Sequence, residues 1–169
     1  MENQPIEIRP LEWMELPEFL RLRKTIENEA EHLAVSKGER RETILHVAAK
    51  MILTGERTAT LVAVENGRLI GYINTIFAKF KKLRGNAYVT MAVKASHRGI
   101  GIGTRLLSAA EDFARARKAR RIELEVFGKN EGAVRLYSKM GYEIEGRKKN
   151  AVQATDGPDD ILFMAKTLV

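Results

Sequence analysis

The chain has 169 residues, 44% of them apolar and 30% charged, and carries a formal net charge of +7. That length suits one domain, residues 1–169, able to bury roughly 70% of its unfolded surface, and the absence of cysteine excludes disulfides, thiolate metal sites and cysteine nucleophiles. No apolar run approaches the roughly 18 residues of a membrane span, and Met1 to Pro10 is polar and acid-bearing, so the expected setting is cytoplasmic, away from membranes.

Ile6-Glu7-Ile8-Arg9 alternates like a short strand, after which Leu16, Phe19, Leu20 and Arg23 follow helical spacing with Pro17 in the first turn. Between Glu42 and Leu53, the positions Ile44, Leu45, Ala48, Met51 and Ile52 trace one face of a second helix, which Gly55 ends. Thr60–Glu65 and Leu69–Phe77 are β-rich runs split by Asn66-Gly67 and predict a tight hairpin. A basic loop, Lys79–Arg84, leads into a further strand, Asn86–Val93.

From Thr104 onward Leu106, Leu107, Ala110, Phe113 and Ala114 keep helical period, and Ile122, Leu124 and Val126 then alternate with Glu123 and Glu125. This is a strand–helix–strand crossover. Asn130 can cap another helix bearing Ala133, Val134, Tyr137 and Met140 on one face, with Gly141 as a left-handed stop. Two strands close the chain, around Tyr142–Asn150 and Ile161–Lys166, separated by Gly157-Pro158. The order β-α-α-β-β-β-α-β-α-β-β describes a mixed α/β sheet with helices on both faces.

His97-Arg98-Gly99-Ile100-Gly101-Ile102-Gly103-Thr104 lies between a strand and a helix. Backbone N–H groups can converge there at a positive helix end, and a pyrophosphate can approach main chain that has no Cβ in the way. A dinucleotide G-x-G-x-x-G would need glycine where Thr104 or Leu106 stands, and a Walker loop would need a closing Gly-Lys-Ser/Thr. Neither fits.

The pattern that does fit, Arg98-x-x-Gly101-x-Gly103 followed by Leu106-Leu107, resembles the acetyl-CoA pyrophosphate motif of the GNAT superfamily of N-acetyltransferases. Leu124-Glu-Val126, Asn130, Ala133, Leu136-Tyr137 and Gly141-Tyr142 resemble that family's other cofactor segment, and the likeness runs from about Leu61 to Leu168. It implies an α+β fold with a mostly antiparallel sheet of six to seven strands flanked by about four helices. It implies acetyl-CoA as co-substrate, no metal, and an acetyl group moved by direct attack of a primary amine. A homodimer is compatible with it.

By the same resemblance, the backbone of Met91, Ala92 and Val93 pairs with the pantetheine arm and turns an N–H toward the thioester carbonyl. Such a donor stabilises a developing oxyanion more than the ground-state carbonyl. Arg98, Gly99, Gly101, Ile102, Gly103 and Thr104 hold the pyrophosphate, mainly through main-chain amides. Tyr137 is the implied general acid toward the departing thiolate. Asn130 doubles as helix cap and cofactor contact, and Lys139 reaches for the 3′-phosphate.

An alkyl ammonium must lose a proton before attack, yet Tyr88–Val93 holds no carboxylate, so no base is assigned. Glu123, Glu125, Glu27, Glu29, Glu31 and His32 are read as solvated, and His97 as loop geometry. The tail from Glu145 to Met164 resembles a branch that acetylates small amines or peptide N-termini. Two other classes stay open: a CoA-binding module without turnover, and, ranked last, a basic nucleic-acid-binding domain. Only Phe77 and Phe80 lie close to the Lys79–Arg84 loop to stack on bases.

Overall fold

The computed structural model describes residues 5–29, 42–154 and 157–168, the side chains of Lys50 and Glu56 excepted. The elements are β1 (Glu7–Pro10), α1 (Leu16–Glu29), α2 (Ile44–Thr54), β2 (Thr58–Glu65), β3 (Arg68–Phe77), β4 (Asn86–Val93), α3 (Ile102–Ala116), β5 (Arg121–Phe127), α4 (Glu131–Lys139), β6 (Glu143–Ala154) and β7 (Gly157–Thr167). The sequence order is as read. The chief boundary differences are α3, which begins two residues earlier at Ile102, and the β6–β7 hairpin, in which β6 runs on to Ala154 and Gly157-Pro158, expected to separate the strands, instead opens β7 and pairs with Ala154 and Gln153.

The seven strands form one sheet in the order β1-β2-β3-β4-β5-β7-β6. All neighbours are antiparallel except β4 and β5. That exception follows from α3, since parallel neighbours need a crossover long enough to return the chain to the same end.

The two-residue period of the strands divides the core into two layers. Leu61, Ala63 and Ile73 pack with Leu106, Leu107 and Ala110 of α3, while Val62, Val64 and Tyr72 pack with Phe19, Leu22 and Ile26 of α1. Phe19 meets Tyr72 edge-on, with ring centroids 5.2 Å apart.

One sequence expectation is corrected here. In α2 the chain buries Val47, with Ala48 and Met51 packed beside it, whereas Ile44, Leu45 and Ile52 stay exposed. The helix Ile44–Thr54 is apolar on most of its circumference, so periodicity alone admitted more than one buried face. Its start is set by Thr43, whose Oγ1 accepts the N–H of His46 at 3.3 Å.

Candidate active site

The parallel ladder between β4 and β5 is short. It consists of Asn86↔Arg121, Ala87↔Ile122 and Tyr88↔Glu123, after which the strands part and β5 pairs only with β7. From Val89 to Val93 the β4 edge facing β5 therefore has no ladder partner, and its polar groups await one. Met91 and Val93 direct their side chains into the α3 layer and Ala92 into the α1 layer. What the parted edge presents is main chain.

The helix α3 begins at this same end of β4. Gly101 is its N-cap residue with φ +87°, and Gly99 has φ +78°. A Cβ at either would meet nothing within 4 Å, so glycine is required there by backbone conformation, and the space beside it is open to a ligand. The first closed turn is Arg105 N–H to Gly101 O at 3.1 Å. The N–H groups of Ile102, Gly103 and Thr104 precede it and are left to an anion at the positive helix end.

Gly103 answers to a different constraint. A Cβ there would stand 3.0 Å from Leu136 Cδ2 and 3.4 Å from Met91 Cε, so α3 fits closely between β4 and α4 only without a side chain at this point.

The loop ahead of α3 is fastened from four directions. Lys94 N–H donates to Ile70 O at 2.9 Å, and Ala95 N–H donates to Glu29 Oε2 at 3.0 Å. His97 Nε2 lies 3.2 Å from Glu65 Oε2, and Arg98 Nε donates to Val93 O at 3.1 Å. His97 thus serves loop geometry, as read. The Arg98 side chain ties the loop to β4. Glu29 joins the tether set, a role that helical spacing could not reveal.

Across the parted strands stands α4. Asn130 Oδ1 accepts the N–H of Ala133 at 3.2 Å, the expected cap. The loop before it is held by the buried carboxylate of Asp159, which accepts Lys129 N–H at 3.1 Å and Asp160 N–H at 2.7 Å. At the far end Tyr142 N–H donates to Tyr137 O and Gly141 N–H to Ser138 O, both at 3.0 Å, with Gly141 at φ +86°. This is a Schellman stop. Lys139 is exposed there and has no partner among the described residues; its charge suits the negative helix end.

Tyr137 is 7% exposed, and burial, with a smaller contribution from Tyr88, pushes its phenol up to about 12. Tyr88 is itself half-buried, and its phenol is raised by burial and by the charge of Glu125. It belongs to the last β4–β5 pair, so two phenols flank the fork. Tyr88 escaped the sequence reading because the β4–β5 register leaves no trace in spacing.

Behind α4, Glu111 of α3 is buried and accepts Lys166 Nζ at 2.7 Å and Arg115 Nη2 at 3.2 Å. The neighbouring Tyr142 hydroxyl is buried without a hydrogen-bond partner, and burial, then the Glu111 charge, raises its phenol further still.

The other acids are dispersed. Glu123 pairs with Arg121 at 3.5 Å, Glu125 is exposed, and Glu27, read from the sequence as solvated, is instead buried on α1 with its carboxyl raised, chiefly by desolvation. Glu31 and His32 lie outside the described residues. Among the described residues no group of three acids and histidines is placed to hold a metal, and no helix is long and apolar enough to cross a membrane.

Comparison with known proteins places this geometry. The family described as "Acetyltransferase (GNAT) family" matches residues 13–142. The [ribosomal protein bS18]-alanine N-acetyltransferase of Escherichia coli (strain K12) is 27% identical over 111 residues, 66% of this chain and 72% of that protein. Across eight curated relatives, the aligned stretch covers from 33% to 72% of their own length. Among solved structures, a GNAT-family acetyltransferase from Streptococcus pneumoniae superposes with a TM-score of 0.90 at 24% identity, covering 96% of this chain and 99% of that one. A Salmonella typhimurium protein solved with acetyl-CoA superposes with a TM-score of 0.84 at 20% identity, covering 98% and 95%. With that family matched over most of the chain, the chain belongs to the GNAT acetyltransferase family, whose co-substrate is acetyl-CoA.

Proposed function

We propose that this chain moves the acetyl group of acetyl-CoA onto a primary amine by direct attack, with the thioester lying along Met91–Val93. One observation carries the reading: an unpaired main-chain edge, a helix N-terminus with three free amides, and a buried phenol meet at one fork of the sheet. The acetyl donor supplies an activated carbonyl and a thiolate leaving group. The β4 backbone orients that carbonyl and stabilises its developing negative charge. Arg98, Gly99, Gly101, Ile102, Gly103 and Thr104 seat the pyrophosphate, while Asn130 fixes the start of α4.

Tyr137 acts on the leaving sulfur. Raised to about 12, its phenol stays protonated at neutral pH, whereas an alkyl thiol ionises near about 8.5. The phenol is therefore a poor source of a free proton and a firm hydrogen-bond donor, most useful as charge builds on sulfur. Lys139 is retained as the weaker contact, to the 3′-phosphate. The name of the Escherichia coli relative supplies the first acceptor to try, a peptide with an N-terminal alanine, beside small amines.

The test is thiol release from acetyl-CoA with an amine panel, alongside melting temperature with and without the donor. Saturating donor at about 100 times its Kd raises stability by roughly 2.7 kcal/mol. Tyr137→Phe slows release by about 100-fold, the loss expected when one donor to charge developing in the transition state is removed, and keeps the melting shift. A shift without turnover on any amine would favour a CoA-binding module; wild-type release from Tyr137→Phe would remove the phenol from the chemistry.

A further inference from the structure

The opposite end of the sheet carries a feature that acetyl transfer does not use. A cavity of about 690 Å³ is lined by Arg57, Arg84, Arg117, Lys118 and Arg120 together with Phe77, Ala78, Gly85 and Asn86. Among the described residues five cations line it and no carboxylate does. All five are exposed, and among the described residues Arg57, Arg84, Lys118 and Arg120 enter no ion pair. The Arg117 guanidinium carbon lies 4.6 Å from the Phe113 ring centroid and 5.5 Å from that of Phe77, so its charge is positioned before any ligand arrives.

Gly85 keeps the floor open. Its carbonyl accepts Arg120 N–H at 2.7 Å and Arg121 N–H at 3.0 Å, and a Cβ on it would press to 3.3 Å from Arg120 Nε.

Helix-dipole complementarity explains part of the charge, because Arg117, Lys118 and Arg120 follow the C-terminus of α3. It does not explain Arg57, which precedes β2, or Arg84, which precedes β4. Between the lining residues Ala78 and Arg84, the chain adds exposed Lys79, Lys81 and Lys82 and an exposed aromatic, Phe80, at 68%. A cationic groove with an aromatic platform beside it is the design that holds single-stranded nucleic acid, phosphates in the groove and a base on the ring. A flat anionic bilayer would have no use for the concavity.

We propose that this groove, with exposed Phe80 two residues along the chain from its lining residue Ala78, binds the phosphodiester backbone of a single-stranded nucleic acid, as a second site distinct from the cofactor fork. The two sites are the length of β4 apart, about 23 Å for eight residues, and α3 spans the same interval, with its N-terminus at one and its C-terminus at the other. Both can be filled at once.

The probe is a fluorescein-labelled twelve-nucleotide strand of mixed sequence, in ribo and deoxyribo forms to tell the two sources apart, followed by polarisation with the full chain. Binding is expected to weaken tenfold or more between about 50 and 200 mM salt. Arg84→Glu with Arg120→Glu weakens it at least tenfold and flattens the salt slope. Lys148→Glu with Lys149→Glu, an equal change of net charge on β6, leaves it within twofold. Phe80→Ala weakens it about fivefold or more.

Retention of the acetyl-CoA melting shift shows that each variant is folded and keeps this test separate from that of acetyl transfer. Equal losses in the β6 and groove variants would reduce binding to net charge and overturn the proposal. Displacement of the strand by acetyl-CoA would place it in the fork and overturn it as well. So would binding to phosphatidylglycerol vesicles with none to either strand.

Discussion

The main-chain carbonyl of Tyr137 accepts the N–H of Tyr142 at 3.0 Å while the two rings lie 5.9 Å apart. These residues are the C3 and C″ positions of one Schellman motif, so the helix stop and the seat of the phenol are a single piece of structure. Gly141, between them, has φ +86°, and a Cβ there would touch only Lys166, at 3.7 Å. Gly141→Ala is expected to cost about 1–2 kcal/mol through backbone strain rather than collision. Because the strain falls on the turn that seats Tyr137, kcat drops several-fold and KM for acetyl-CoA moves little. Urea unfolding and steady-state kinetics check this, and an unchanged kcat in a destabilised variant would show the phenol to be seated independently.

The chain has four tyrosines, and all four phenols are raised: Tyr72, Tyr88, Tyr137 and Tyr142, each mainly by burial. For Tyr137 the folded state holds the proton up to about 12, whereas the unfolded chain releases it near 10. The folded state thus binds more protons between these values, and stability falls as pH rises across that window, by on the order of 3 kcal/mol from this residue alone. Below pH 10 the contribution is fully present. Absorbance at 295 nm, compared between the wild type and Tyr137→Phe across this pH range, should show the Tyr137 phenol ionising only with the loss of circular dichroism. Ionisation of Tyr137 near 10 ahead of unfolding would contradict the burial argument.

Glu111 and Lys166 join α3 to β7 across the layer that supports α4. Lys166→Met strips the buried Glu111 carboxylate of its nearest cation and leaves Arg115, itself 43% exposed at its side chain. The expected loss is about 3 kcal/mol, since a stranded buried charge costs more than the pair contributes. Glu111→Leu combined with Lys166→Met loses less than Lys166→Met alone. Chemical denaturation of the two single variants and the double variant measures the coupling; additive losses would mean that the pair is effectively solvated.

Much of the architecture could be read from residue patterns because the patterns were local. Leu61-Val62-Ala63-Val64 alternates between the two core layers as the pleat requires, and Asn130 and Gly141 mark the ends of α4 as capping chemistry dictates. The glycine-led start of α3 was visible for the same reason, since Gly99 and Gly101 are demanded by their own φ values.

Features that depend on two distant stretches meeting were not legible. The Ala95 contact of Glu29 bridges 66 residues, and the hold of Asp159 on the turn before Asn130 bridges about 30. Tyr88 reaches the fork only through the β4–β5 register. The apolar excess of Ile44–Thr54 hid its buried face for the opposite reason, too many candidates.

With only three residue pairs joining β4 to β5, the sheet is in mechanical terms two plates, β1–β4 and β5–β7, riveted along one short seam and gaping beyond it. A ligand whose amide-bearing arm lies along Val89–Val93 would act as the strand that the chain omits and weld the plates together. Catalytic cleft and structural weak line are then the same place. On the function proposed above, occupancy would set the stiffness of this protein, and the amides along the gap should trade hydrogen for deuterium slowly only while the donor is in place.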